Sequence, residues 1–259
     1  MSKIHFTDTG KGFPIILIHG FGESSELWKF FQGYLSEQYR VIAPDLPGFG
    51  QSPLPKEDLS LGEVADTLYS WLQSLHIQKC IMIGHSLGGY ITLAFAQKYP
   101  DLLKGFGLFH SSAYADTDEK KENRKKTISF IKKNGTSAFM ETFIPALFYE
   151  ENRSRLKPIV DQQIAIGKST SVETLCTYLA AMASRPDHTE LIQKYDKPVL
   201  MIIGENDSAV PFDKSHEQAN LLKQPHIHIL EKTGHMGMFE HERETLEYVK
   251  AFVEKVSLA

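Results

Sequence analysis

The sequence predicts an α/β protein built on a mostly parallel, doubly wound sheet, with a helical cap inserted between two halves of the core. Two observations predict it. Short β-rich apolar runs alternate with helical patterns, and the runs are continuous rather than alternating, as in strands covered on both faces. The alternation then stops over residues 112–186, where helical patterns continue without a strand run. The expected organisation is therefore a core of residues 1–111 and 187–259 interrupted by a helical insertion at 112–186.

In chain order the strand runs are Pro14 to Ile18, Arg40 to Ala43, Cys80 to Ile83, Gly105 to Phe109, Val199 to Ile203 and Ile227 to Leu230. Ser60-Leu61-Gly62-Glu63 has the form of a capping box and opens a helix with Leu61, Val64, Ala65, Leu68, Leu72 and Leu75 at apolar positions. The last helix, from about Glu240 to Lys255, carries Leu246, Val249, Phe252 and Val256 on one stripe. In the insertion, the charged run Thr117 to Lys126 reads as a solvated helix face, with Ile128 and Ile131 on the buried side.

Of the 259 residues, 42% are hydrophobic and 23% charged, ordinary values for a globular enzyme, and the net charge of −4 argues against a nucleic-acid or anionic-membrane surface. The expected partner is a small molecule, with no nucleic acid and no membrane insertion. Two cysteines, Cys80 and Cys176, imply no disulfide framework. The opening MSKIHFTDTG lacks a signal peptide's apolar core, and no run approaches the roughly 18 apolar residues of a membrane span, so a cytoplasmic location is expected. The pair His226 and His228 lacks a third ligand nearby; neither metal nor cofactor is expected, and the assembly is expected to be a monomer or homodimer.

Residues 84–89 read GHSLGG, placing Ser86 where a buried strand must turn abruptly into a helix. Such a turn strains the central residue toward positive φ and leaves no room for side chains two residues either side, where this sequence has Gly84 and Gly88. A serine hydroxyl needs a base, and the base an orienting acid. His235 lies in the glycine-flanked loop Lys232 to Gly237, between the last strand run and the last helix.

At these residues the chain resembles the α/β-hydrolase family, whose nucleophile elbow has the form G-x-S-x-G in a strand–turn–helix setting. The resemblance implies the α/β-hydrolase fold with a sheet of about eight strands, and Ser86 as nucleophile, His235 as base and Asp207 as acid. Asp207 sits in Gly204 to Pro211, whose G-x-x-D-x-x-V-P spacing matches the family's acid loop, with Glu205 as the alternative. It also implies an oxyanion hole formed by the backbone N–H groups of Leu87 and of Phe21, the latter in His19-Gly20-Phe21-Gly22. His19 reads as a loop-shaping residue, and Asp45 to Ser52 is similar to a structural segment of the family.

A serine at the elbow implies attack on a carbonyl, and the chain looks like the small-carboxylesterase and enol-lactonase branch. Carbon–carbon bond hydrolase and cofactor-free perhydrolase remain open on the same triad, as does a ligand-sensing receptor of the same fold. The expected pocket draws on Trp28, Phe139, Phe143, Tyr178, Met182 and Met236. Because no arginine or lysine stands beside Ser86, Asp207 or His235 in the sequence, uncharged esters of short acyl chains are expected to react best and dicarboxylic substrates poorly.

Overall fold

A computed structural model describes residues 3–258. Seven strands form one sheet: β1 (Phe6–Thr9), β2 (Pro14–Ile18), β3 (Arg40–Pro44), β4 (Cys80–His85), β5 (Leu103–Phe109), β6 (Val199–Gly204) and β7 (Pro225–Leu230), in the order β1-β3-β2-β4-β5-β6-β7. All pairings are parallel except β1 with β3. Among the described residues the count is one short of the expectation, and a single strand, β1, precedes β2. That strand, FTDT, is short and half-exposed, so it lacks the apolar run that marks the others.

The β-branched and aliphatic runs of β2 to β6 are buried almost throughout, because helices cover both faces of the sheet. β7 departs from this. It is the sheet edge, and Ile227 and Ile229 face solvent. Its other face turns His226 against Phe252 and stacks His228 on Tyr248 with ring centroids 3.7 Å apart. The two histidines thus serve as aromatic packing surface.

Helix α1 (Lys29–Leu35) follows β2, α2 (Leu61–Ser74) follows β3 and α3 (Leu87–Lys98) follows β4. The capping box of α2 forms as read: Glu63 N–H donates to Ser60 Oγ at 3.2 Å, and Ser60 N–H to Glu63 Oε2 at 2.9 Å. Between β5 and β6 stand α4 (Asp118–Leu147), α5 (Glu150–Arg153), α6 (Lys157–Lys168), α7 (Val172–Ala183) and α8 (Thr189–Lys194), and α4 packs on α6 and α7. α4 is broken at Gly135, whose φ of 82° is left-handed. After β6 come α9 (Phe212–Ala219), α10 (Gly237–Glu240) and α11 (Glu242–Leu258), the last burying Leu246, Val249, Phe252 and Val256 against the sheet. None of the helices among the described residues is long and apolar enough to cross a membrane.

β2 is flanked by β3 on one side and β4 on the other, so the chain reverses its direction of winding between β2 and β4. Open α/β sheets bind ligands at the carboxyl ends of strands beside such a reversal. Here those ends carry His19 to Gly22 and Ser86.

The tightest constraint at that edge is the crossing of α3 over β2. A Cβ on Gly88 would lie 2.5 Å from the Ile18 carbonyl oxygen and 2.7 Å from that of His19, both backbone atoms unable to swing away. Gly88→Ala is therefore expected to lower the unfolding free energy by about 1–3 kcal/mol, read from the midpoint of urea denaturation. An unchanged midpoint would show that α3 can lift off β2 at little cost.

Candidate active site

Ser86 occupies a sharp turn with φ 49° and ψ −114°, a conformation costly for any residue with a side chain. Its surroundings hold it there. Ser86 N–H donates to the Phe109 carbonyl at 3.0 Å, and Ser111 Oγ donates to the Ser86 carbonyl at 2.7 Å. A Cβ on Gly84 would fall 2.2 Å from the backbone of Gly88, so the strand can meet the helix this closely only as glycine. The turn points the Ser86 side chain into a cavity at the carboxyl edge of the sheet.

His235 lines the same cavity, and its Nδ1 lies 2.7 Å from Asp207 Oδ2. The Asp207 loop is wound around its own carboxylate: Asp207 Oδ1 accepts from Ala209 N–H at 2.8 Å and Val210 N–H at 2.9 Å. This is the physical content of the D-x-x-V spacing. Glu205, the alternative acid, points to solvent. Burial alone would push the Asp207 pKa up, but His235 and His110 beside it hold it far below the usual carboxylate range. Burial would likewise lower the pKa of His235, and the Asp207 carboxylate outweighs it, raising the imidazole above its ordinary value. Ser86 and His235 share the cavity without a hydrogen bond between them, a gap that such pairs often close only when substrate binds.

His110, at the end of β5, adds a third ring to this cluster. Its Nε2 accepts from Gly237 N–H at 3.2 Å, leaving its Nδ1 to face Asp207 Oδ2 at 3.5 Å. Burial holds His110 neutral, with its pKa lowered to about 4. The loop carrying His235 is fastened from outside by Glu240, whose Oε1 accepts from Gly234 N–H at 3.0 Å and whose Oε2 accepts from Tyr149 N–H at 2.9 Å.

Across the cavity, the loop after β2 is held by Glu23. Its Oε2 accepts from Gly20 N–H at 2.5 Å and lies 3.0 Å from His85 Nδ1, while His85 Nε2 donates to the His235 carbonyl at 3.0 Å. One buried carboxylate thus ties the β2 loop, the residue before Ser86 and the His235 loop together. His19 accepts from Leu46 N–H through Nε2 at 2.9 Å and so donates from Nδ1 to the Gly20 carbonyl, which fits the loop-shaping role expected of it. The Phe21 and Leu87 N–H groups have no hydrogen-bond partner among the described residues. Asp45 is structural, accepting from Ser25 N–H at 2.8 Å and Gln51 N–H at 2.9 Å.

The cavity, about 250 Å³, is walled on one side by Phe21, Phe139, Phe143, Leu147 and Met182. Of the expected pocket residues, Trp28, Tyr178 and Met236 do not line it. Trp28 is fully buried between Phe31 and Phe109; Tyr178 packs on Phe49 and donates to the Pro47 carbonyl at 2.9 Å; Met236 is fully buried behind the His235 loop. Bulk and hydrophobicity suit a core as well as a pocket, and the sequence does not separate the two. A second departure concerns charge. Lys120, Asn123, Arg124 and Thr127, within or beside the run read as a solvated face, line the cavity.

The sequence alone singles out none of Glu23, His85, His110 and Glu240, although His85 abuts the elbow and Glu23 follows Gly20 by three residues, the reach of a carboxylate closing a turn. The family model of the α/β hydrolase fold matches residues 14–242, and the chain belongs to that family. It is 30% identical to a thermophilic esterase from Thermogutta terrifontis solved with malate bound, with a TM-score of 0.94 over 98% of this chain and 94% of that one. The enol-lactonase of Burkholderia xenovorans LB400, 20% identical, shares the fold with a TM-score of 0.90 over 98% of this chain and 97% of that one. A stretch of 98 residues is 40% identical to an uncharacterised protein of Mycobacterium tuberculosis; it covers 38% of this chain and 29% of that longer protein.

The two shifted groups give a pH signature. The pKa of His235 is raised in the folded state, so its contribution is fully present below the unfolded value of about 6.5 and is lost as pH rises through the folded value. The Asp207 pKa is depressed, so its contribution is lost only in acid. Asp207→Asn should therefore cost more stability at about pH 6 than at about pH 9, measured as urea midpoints of mutant and wild type. An equal cost at both would mean that Asp207 does not hold a proton on His235.

Proposed function

We propose that the protein is a serine hydrolase that cleaves a small carboxylic ester or lactone through an acyl-enzyme on Ser86, with His235 as general base and acid and Asp207 as its orienting carboxylate. The observation that carries the reading is the sharing of one cavity by a strained, solvent-reachable serine and a histidine hydrogen-bonded to a buried aspartate. The 30% identity with an esterase over nearly the whole chain supports it.

In this mechanism Ser86 Oγ attacks the carbonyl carbon while His235 Nε2 takes its proton. The carbonyl oxygen becomes an oxyanion facing the unpartnered N–H groups of Phe21 and Leu87. Collapse breaks the bond to the alcohol oxygen, which leaves with the proton from His235. Water then repeats the sequence on the acyl-enzyme, releasing the acid and restoring Ser86. The helices α4 to α7 act as a cap, and the apolar wall of Phe139, Phe143 and Leu147 receives the hydrocarbon part of the substrate. A cavity of about 250 Å³ lies at the small end for ligand sites, which favours short chains.

Two measurements test the reading. Ser86→Ala should abolish labelling by a fluorophosphonate and lower kcat by about 10⁴-fold or more. In the wild type, kcat/KM should rise with pH through an apparent pKa above 6.5, because His235 must be neutral to accept the proton and Asp207 holds that proton on. Labelling that survives Ser86→Ala would overturn the assignment. Wild-type turnover that never exceeds a single event per molecule would point instead to a ligand-sensing role.

A further inference from the structure

The cavity has two unlike ends, and one helix builds both. Before the break at Gly135, α4 turns Lys120, Asn123, Arg124 and Thr127 to the cavity; beyond it, the same helix contributes Phe139, Phe143 and Leu147. The first set follows the spacing i, i+3, i+4, i+7, a single helical face about 10 Å long. A polar stripe of this kind, aimed into a site whose other wall is aromatic, is placed to recognise a polar group on the substrate.

The charge at that end is unbalanced. Arg124 and Arg185 both pair with the buried Asp116, Arg185 through Nη1 at 2.7 Å, so two guanidinium groups share one carboxylate. The Arg185 guanidinium also stacks 3.9 Å from the ring centroid of Tyr90, itself a cavity residue. Lys120 adds a further positive charge, and its ammonium has no ion-pair partner among the described residues. Of the neighbouring acids, Asp118 pairs with Lys121 at 3.3 Å and Glu122 with Lys125 at 3.7 Å, and Glu119 makes no ion pair with it. Glu23, the acid that lines the cavity, is committed to Gly20 and His85. Partial desolvation lowers the Lys120 pKa, and the charges of Arg185 and Arg124 push the same way against Asp116 and Asp207. An anion bound here would relieve that repulsion.

We infer, resting on the serine-hydrolase reading, that the ester or lactone cleaved at Ser86 carries a carboxylate, and that Lys120 receives it, with Asn123 and Arg124 beside it, at the polar end of the cavity. The substrate is then amphipathic, its hydrocarbon against Phe139 and Phe143 and its carboxylate held away from the scissile bond. This reverses the preference for uncharged substrates expected from the sequence, because the folded chain brings the first turns of α4 to the cavity although they are remote in sequence from Ser86, Asp207 and His235.

The test compares matched esters that differ in one group. Monomethyl adipate against methyl 6-methylheptanoate places the carboxylate on the acyl side; 5-acetoxypentanoate against 5-methylhexyl acetate places it on the alcohol side. Hydrolysis is followed by proton release at low ionic strength, where exposed charges act most strongly. In at least one pair the carboxylate ester should have the higher kcat/KM, by about tenfold or more, the worth of one charge-assisted hydrogen bond. Lys120→Ala should cut that ratio about tenfold, chiefly through KM, and Lys120→Glu should invert it. Because Lys120 is only partly buried, these variants should fold, and their urea midpoints check this. If Ser86 labels but the neutral ester is preferred in both pairs, if the ratio is indifferent to Lys120→Ala, or if neither carboxylate ester is cleaved, the inference falls while the serine-hydrolase reading stands. If Ser86 does not label at all, that reading fails first and this one with it.

Discussion

The site depends on one steric fact: β4 and α3 meet with no side chain between them. Gly84 touches the backbone of Gly88, and Gly88 touches the carbonyls of Ile18 and His19. The β4–α3 turn and the end of β2, distant in sequence, are locked within van der Waals contact there, and the strained dihedral angles of Ser86 follow from the angle at which β4 and α3 meet. The strain is sustained because the Phe109 carbonyl and Ser111 hydroxyl grip the turn from the neighbouring strand. Loosening any of these would let the serine relax to an ordinary helix-starting conformation and withdraw from the cavity.

Around that fixed point, buried carboxylates perform the same task repeatedly. Glu23 gathers the β2 loop, Asp45 the loop after β3, Asp207 its own loop and Glu240 the loop of His235, each by accepting backbone N–H groups that would otherwise be buried without partners. Loops that carry reacting groups cannot be stiffened by sheet pairing, and a carboxylate with several acceptor positions replaces it. The arrangement explains why a chain of ordinary composition builds a site with so many buried charges: they are hydrogen-bonded to backbone, where the cost of desolvation is offset.

The sheet and the elbow were legible in the sequence because both rest on local rules. Continuous apolar runs such as Pro14 to Ile18 and Val199 to Ile203 can only be buried strands, and glycines two residues either side of Ser86 have few other reasons to be there. The Asp207 loop was legible only through its resemblance to the family's acid loop, and the structure supplies the physical reason for that spacing, a side chain that caps its own turn. What was not legible depends on tertiary placement. Trp28 and Tyr178 are as aromatic as Phe139 and Phe143, yet the first pair fills the core and the second lines the cavity. The run from Thr117 to Lys126 is rich enough in charge to read as a solvated face, and nothing within it says that part of it closes over a cavity. β7 carries isoleucines like any inner strand, but no further strand follows it in the sheet, so its outer face stays exposed.

The break at Gly135 divides α4 into two rods that need not keep a common phase. In an unbroken helix each added or deleted residue rotates everything beyond it by about 100°, so a length change anywhere would scramble both walls of the cavity together. With a left-handed glycine in open space between them, the rotation can be absorbed at the joint. Length variation near this residue would thus leave the aromatic half seated over Ser86 while the preceding half presents a different set of side chains, making the first half of α4 an interchangeable part with its own alignment.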